Sequence, residues 1–301
     1  MHALNAGFRY LEQIGSAESG RTVAAHLSAR YPLASEAEWR DRIQAGQVFL
    51  EDRPAQGDEF LRAGQQLTWL RPPWNEPDVP LATAILYEDA DLLAVAKPSG
   101  LPTLPGGGEF LEHTLLALMR RRHPDASPMH RLGRGTSGIV LFAPTVPSRK
   151  PLQATFQQDG THKVYLALCS GRMAPDTLEI TAPIGEVPYA PLGTLHAAHP
   201  EGRASCSRVR VLERREGATL VEVEILTGRP HQIRIHLAWA GHPLVGDPLY
   251  GPGGLPLPET RALPGDPGYL LHAHRLELTH PRSGNRILLV CQPPPLLRTF
   301  A

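Results

Sequence analysis

Lysine stands at only three positions, Lys97, Lys150 and Lys163, although lysine and arginine together number 30. Arginine therefore supplies nearly all the positive charge, and its planar guanidinium suits bidentate contacts to phosphate. Cysteine is equally scarce. Cys169, Cys206 and Cys291 are odd in number and far apart, which excludes a disulfide framework and zinc-ligand spacing and leads us to expect a reducing, cytoplasmic location. No run approaches the roughly 18 apolar residues of a membrane span. The first residues, MHALNAGFRYLEQI, lack the basic-then-apolar order of a secretion signal, so no membrane partner is expected. Net charge is missing too, with 30 acidic side chains against 30 basic ones. A nucleic-acid partner must then be held by local patches, not by the overall field.

Proline and glycine, by contrast, are abundant at 31 and 28 residues, so stiff loops should be many. A hydrophobic content of 42% with 20% charged residues fits a soluble globular chain of one large or two ordinary domains. Residues 10–70 read as a small module. GRTVAAHLSARY and SEAEWRDRIQAG carry helical spacing, Ser35 with Glu38 forms a capping-box pattern, and short strands follow. The Pro-rich stretch RPPWNEPDVPL (71–81) marks the boundary, giving domains of 1–75 and 76–301. Beyond it, TAILYEDADLLAVAK reads as two strands around a turn, TLLALMRRRHP as a helix, GIVLFA as a buried strand, and ATLVEVEILTG as a half-buried one. RPHQIRIHLAWAGHPLVGD reads as a helix with Pro230 in its first position, Ile233, Leu237 and Ala240 on one face, and Gly241 ending it.

MHRLGRGTSGIVLFA (129–143) sets His130, Arg131, Arg134 and Thr136 around glycines in front of a buried strand. A nucleoside-triphosphate loop needs GxxxxGK[ST] leading into a helix; here the lysine is absent and a strand follows, so no nucleotide cofactor is expected. Glycine-freed N–H groups and arginine can still grip an anion. Arg229 and Arg234 at the start of the later helix are either two solvated side chains or cations awaiting an anion, because positive charge at a positive helix end is unfavourable. His231 and His236 are five apart with no carboxylate at ligand spacing, so no metal is expected. Tyr165, alone, reads as strand packing.

In order, ILYEDADLLAVAKPSGLPTLPG, HRLGRGTSGIVLFA, KVYLAL, LTGRPHQIRIHLAWAGHPLVGDPLYG and LLHAHRLELTHP resemble the RluA-type pseudouridine synthase family over about residues 85–281. The N-terminal module resembles an S-four-like RNA-binding domain, with 8 basic against 9 acidic residues through Asn75. The resemblance implies an α+β fold, a long, mainly antiparallel mixed sheet with a central RNA-binding cleft, preceded by a small α/β module. It also implies cofactor-free isomerisation of uridine to pseudouridine in ribosomal or transfer RNA, on a flipped-out nucleotide, by a monomer. Carried over by position, Arg131 fills the gap left by the flipped base, and Tyr165 packs on uracil and helps remove the proton from the new attachment carbon. Arg234 pairs with the catalytic aspartate and Ile233 lines the base pocket. His130, Arg134, Thr136, Arg229 and His231 are supporting or phosphate contacts.

One position departs from the pattern. The aspartate that follows HRL in the family is Gly133 here, and glycine is neither nucleophile nor base. Two readings follow: an active synthase with a relocated acid, or a non-catalytic RNA-binding protein that aids RNA folding. Asp125 is the nearest acid in sequence, while Asp247 matches a structural position. If only the carboxylate is missing, Gly133→Asp should create or raise activity.

Overall fold

The computed structural model describes residues 4–32, 34–106, 108–157 and 160–300. The chain forms two compact units, residues 1–76 and 77–301. In the first, β1 (Phe8–Gln13) is followed by α1 (Val23–Arg30), α2 (Glu36–Gln44), β2 (Val48–Leu50), β3 (Arg53–Pro54) and β4 (Gln66–Arg71). The strands pair antiparallel in the order β1-β4-β2-β3. Ser35 and Glu38 cap α2 reciprocally, the Glu38 N–H donating to Ser35 Oγ and the Ser35 N–H to the Glu38 carboxylate. The core gathers Leu27, Trp39, Val48, Leu50 and Trp69. Arginines of this unit face its own acids: Arg40 pairs with Glu36 and Asp58, and Arg53 with Glu59.

The second unit begins with β5 (Ala84–Glu88), β6 (Leu93–Lys97), α3 (Leu115–Arg120), β7 (Ser127–Pro128), β8 (Ser137–Ala143) and α4 (Arg149–Gln157). Next come β9 (His162–Ser170), β10 (Thr177–Ile180), the hairpin β11 (Ile184–Tyr189) and β12 (Gly193–Ala198), β13 (Ser207–Arg215) and β14 (Ala218–Ile225). After α5 (Gln232–Trp239) and the short pair β15 (Tyr250–Gly251) and β16 (Leu255–Pro256), the chain ends in β17 (Leu271–Thr279) and β18 (Arg286–Val290). Ten strands form one sheet in the order β10-β13-β14-β9-β17-β8-β6-β5, with β7 on β8 and β18 on β17. This is the long, mainly antiparallel sheet of an α+β fold that the sequence leads one to expect.

The apolar run GIVLFA is buried on both faces, as β8 shows. Ile139 and Leu141 face α4 residues Leu152 and Phe156, while Val140 and Phe142 face Leu115 and Met119 of α3. One helix boundary differs from expectation. α5 starts at Gln232, not at Pro230, because His231 adopts a left-handed conformation (φ 53°) that breaks the helical path. Gln232 Oε1 then accepts the Arg229 N–H and the Thr227 hydroxyl, tying the turn to the first residue of the helix.

Among the described strands only β8 and β17 pair in parallel, His272 opposite Ser137 and Ala273 opposite Gly138. Gly138 has φ +111°, and a Cβ there would lie 2.2 Å from the Ala273 carbonyl oxygen. The approach of the two backbones thus requires glycine. Gly138→Ala is expected to destabilise the protein by about 3 kcal/mol or more, adding backbone strain to overpacking. Urea unfolding of the two proteins checks this; equal midpoints would contradict it.

Candidate active site

Because β8 and β17 run in parallel, the segments that precede them emerge at the same end of the sheet. The loop 130–136 and the residues up to Tyr269 therefore meet. A second loop holds the first from below. Lys97, buried at the end of β6, donates to the carbonyls of Pro98, Leu101 and Arg134 at 2.9, 2.7 and 3.2 Å. Burial draws its pKa down to about 7, against which three carbonyl dipoles favour the ammonium. Ser99 donates to the Gly135 carbonyl, and Thr103 bonds both the N–H and the carbonyl of Leu132. The glycine-rich loop is thus fixed by four side-chain bonds, one from Lys97, one from Ser99 and two with Thr103, and by the Gly100 N–H, which shares the Arg134 carbonyl with Lys97.

Across from it stands a buried ion pair. Arg234 Nε and Nη2 each donate to Asp247 at 2.7 Å, and Nη1 donates to the Pro264 carbonyl at 3.0 Å. The Arg234 and Asp247 side chains are 3% and 1% exposed. Asp247 Oδ1 also accepts the N–H groups of Leu249 and Tyr250. Burial is the largest single influence and opposes the arginine charge, but the Asp247 hydrogen bonds together with the electrostatic pull of Tyr269, Asp247 and Tyr250 outweigh it and raise the pKa. The guanidinium lies 4.1 Å from the centre of the Tyr269 ring and 5.0 Å from that of Tyr250. Tyr250 donates to the His196 carbonyl at 2.6 Å, so His231 Nδ1, 2.7 Å from the Tyr250 oxygen, is the donor in that contact and Nε2 is left as an acceptor. Burial, helped by Arg234, His196 and Arg131, holds the His231 ring neutral with a pKa of about 3, Asp247 acting in the opposite sense.

The Tyr269 hydroxyl completes the arrangement. It lies 3.2 Å from Thr136 Oγ1 and 2.7 Å from where Gly133 would carry a Cβ. The Arg234 guanidinium thus lies near two phenol rings, the Tyr250 hydroxyl meeting the His231 imidazole and the Tyr269 hydroxyl meeting the glycine-rich loop.

Comparison with known proteins gives this site its frame. A family profile for RNA pseudouridylate synthase matches residues 91–239. An uncharacterised RNA pseudouridine synthase of Synechocystis is 43% identical over 274 residues, covering 90% of this chain and 94% of that protein. The chain belongs to the RluA-type RNA pseudouridine synthase family. Arabidopsis thaliana RNA pseudouridine synthase 5 is 40% identical, covering 98% of this chain and 95% of its own. Human RNA pseudouridylate synthase domain containing 1 shares the fold, with a TM-score of 0.58 at 24% identity over 74% of this chain and 89% of that one.

Against the synthase pattern, the residues singled out from sequence fall into two groups. Arg131, exposed, sits close enough for its charge to reach His231, and Gly133, Thr136, His231 and Arg234 surround Tyr269 or its partners. Ile233 is buried in a cluster against which Tyr165 packs. The other group is engaged elsewhere. Arg134 donates to the Gly265 carbonyl and reaches Asp266 at 3.5 Å, and Arg229 donates to the Ala204 carbonyl. His130 accepts the Leu141 N–H and stacks on Phe156 with ring centres 5.0 Å apart. Burial first, then the Lys163 charge, holds its pKa at about 3. Tyr165, pushed up to about 12 by burial, lines a cavity of about 10 Å³ with His130, Phe156 and Lys163. That volume accommodates a water at most, not a base, so uracil stacking there requires these side chains to part.

The family's pattern pairs Arg234 with an aspartate after HRL; here Asp247 is the partner. Gly133→Asp, expected to create or raise activity if only the carboxylate is missing, meets a steric obstacle, since the new Cβ would lie 2.7 Å from the Tyr269 hydroxyl. Sequence reasoning missed Tyr269, which stands in GYLLHAHRL with no motif of its own, and the cradle formed by Lys97, Ser99 and Thr103.

Asp247→Asn is expected to cost about 3–5 kcal/mol, as for breaking a buried pair, read from denaturant unfolding. The imidazoles of His130 and His231 contribute to a pH dependence in the same sense as those of His236 and His272. Their folded pKa lies below the unfolded value of about 6.5, so the stability they contribute is full above that pH. It is lost as pH falls from about 6.5 toward 3, each ring adding a slope of at most about 1.4 kcal/mol per pH unit. Unfolding curves at pH 7, 5 and 4 should show this decline, and His130→Gln should flatten it.

Proposed function

We propose that the protein isomerises uridine to pseudouridine in ribosomal or transfer RNA, acting on a nucleotide turned out of its stack. The observation that carries this reading is the convergence of the 130–136 loop with the His231–Arg234 turn over Tyr269. Base extrusion is needed because the glycosidic bond is inaccessible within a helix. In this reading Arg131 occupies the space the base leaves, and His231 and Thr136 contact the nucleotide. Ile233 and Tyr165 bound the base, Tyr165 assisting removal of the C5 proton. His130 supports the wall against Phe156, while Arg134 and Arg229 orient their loops and contact phosphate at the rim. Arg234 acts by holding Tyr269 and Asp247 in place.

The reaction is an internal rearrangement with no net change of oxidation state, so it calls for no redox group, and reactant and product being isomers it calls for no co-substrate. The small N-terminal unit is assigned as an S-four-like RNA-binding module; with Arg40 and Arg53 facing its own carboxylates, phosphate binding should come chiefly from the larger unit. A monomer working in the cytoplasm fits this role.

Purified protein incubated with pseudouridine-free ribosomal and transfer RNA transcripts should generate pseudouridine, read by chromatographic separation of the nucleosides. RNA binding that weakens with salt but yields no product would establish the non-catalytic reading that Gly133 raises. Arg131→Ala should lower turnover about 10-fold or more while leaving the melting temperature unchanged, as for a residue acting mainly on the transition state.

A further inference from the structure

When C1′ leaves N1 of uracil it becomes electron-deficient, and a nucleophile can hold it while the base turns to present C5. On the synthase reading, on which this inference rests, the candidates among the described groups named above are the carboxylates of Asp247 and Asp266 and the phenols of Tyr250 and Tyr269. The Tyr250 hydroxyl is taken, since it donates to the His196 carbonyl and meets His231 Nδ1. Asp247 is closed, since both oxygens accept from Arg234 and Oδ1 accepts two backbone N–H groups besides. Asp266 is turned to Arg134 and to the Leu263 N–H. The Tyr269 hydroxyl has Thr136 Oγ1 as its hydrogen-bond partner, which leaves its oxygen with an unused lone pair. Gly133, which is exposed, lies against the hydroxyl and puts no side chain between it and the surface, so a sugar reaches the phenol oxygen when the glycine loop gives way there. The ring cannot swing away: Arg234 lies on its face, and its hydrophobic surroundings leave the residue 3% exposed.

We propose that the Tyr269 hydroxyl is the nucleophile of the isomerisation, occupying the place that a side chain at position 133 would otherwise fill. Its oxygen bonds to C1′ as the C1′–N1 bond breaks. The electron pair leaves on N1 and the phenolic proton follows it there, giving neutral uracil and an aryl glycoside on the enzyme. After the base rotates, C5 attacks C1′, the C1′–oxygen bond breaks with its pair returning to the tyrosine, and the proton leaving C5 restores the phenol. Reactant and product are isomers, so no co-reactant enters. A tyrosine attacking a sugar carbon has precedent in sialidases.

Three proteins assayed on one pseudouridine-free transcript test this: wild type, Tyr269→Phe, and Tyr269→Phe combined with Gly133→Asp. Tyr269→Phe keeps the ring and should lower kcat about 100-fold or more with RNA affinity and melting temperature retained, the pattern of a lost transition-state group. Removing the hydroxyl leaves no Tyr269 atom within 4 Å of a Cβ at position 133, so adding the carboxylate in that background should recover activity. In wild type, RNA carrying 5-fluorouridine, which has no C5 proton to lose, should give an adduct that peptide mass spectrometry maps to Tyr269. Turnover by Tyr269→Phe within about threefold of wild type, a difference too small for a covalent role, overturns the proposal, as does an adduct on another residue. An inactive wild type overturns the synthase reading itself, and this inference with it.

Discussion

The contact on which the rest of this site depends is the parallel pairing of β8 with β17, made possible where Gly138 lies against Ala273. Antiparallel neighbours send their leading segments to opposite ends of a sheet, and parallel ones send them to the same end. The loop before β8 and the loop before β17 are far apart in sequence, yet the register His272 to Ser137 brings them face to face. Ser137 and His272 then bond across the junction at 2.9 Å, and His272 continues to the Cys291 carbonyl. The same junction therefore sets the relative height of Thr136 and Tyr269.

The buried pair of Arg234 and Asp247 is the second anchor. A pair of this kind does little for net stability compared with apolar packing, but its geometry admits few alternatives. Bidentate contact fixes the plane of the guanidinium, and that plane fixes the Tyr269 ring beneath it. Through the Tyr250 N–H the same carboxylate positions a phenol that dictates which nitrogen of His231 carries the proton. One ion pair thus orients two aromatic rings and one imidazole.

Much of this architecture is legible in the sequence where local chemistry decides it. The capping box at Ser35 and Glu38, the two-sided burial of GIVLFA and the helix after His231 each follow from spacing and side-chain type. The start of that helix is misread because the turn is decided by Gln232 reaching back to Thr227 and Arg229, a competition that proline's preference for a first position does not reveal. The site is legible at Arg131, His231 and Arg234, which lie in long motifs. It is not legible at Tyr269, since nothing near that residue in sequence announces that the strand carrying Ser137 will run parallel to the strand carrying His272. Nor does His130 betray that its ring nitrogen is taken by a backbone N–H: histidine beside arginine in a glycine-rich loop reads the same whether it faces a ligand or a phenylalanine.

The 2.7 Å between the Tyr269 hydroxyl and the unbuilt Cβ of Gly133 also restricts the routes by which such a chain can change. A carboxylate at 133 and a tyrosine at 269 cannot both keep these positions, so introducing either beside the other makes the phenol or the loop shift. Glycine at 133 with a smaller residue at 269 is the passage between them. A change at either position therefore alters what the other tolerates, although the two are widely separated along the chain.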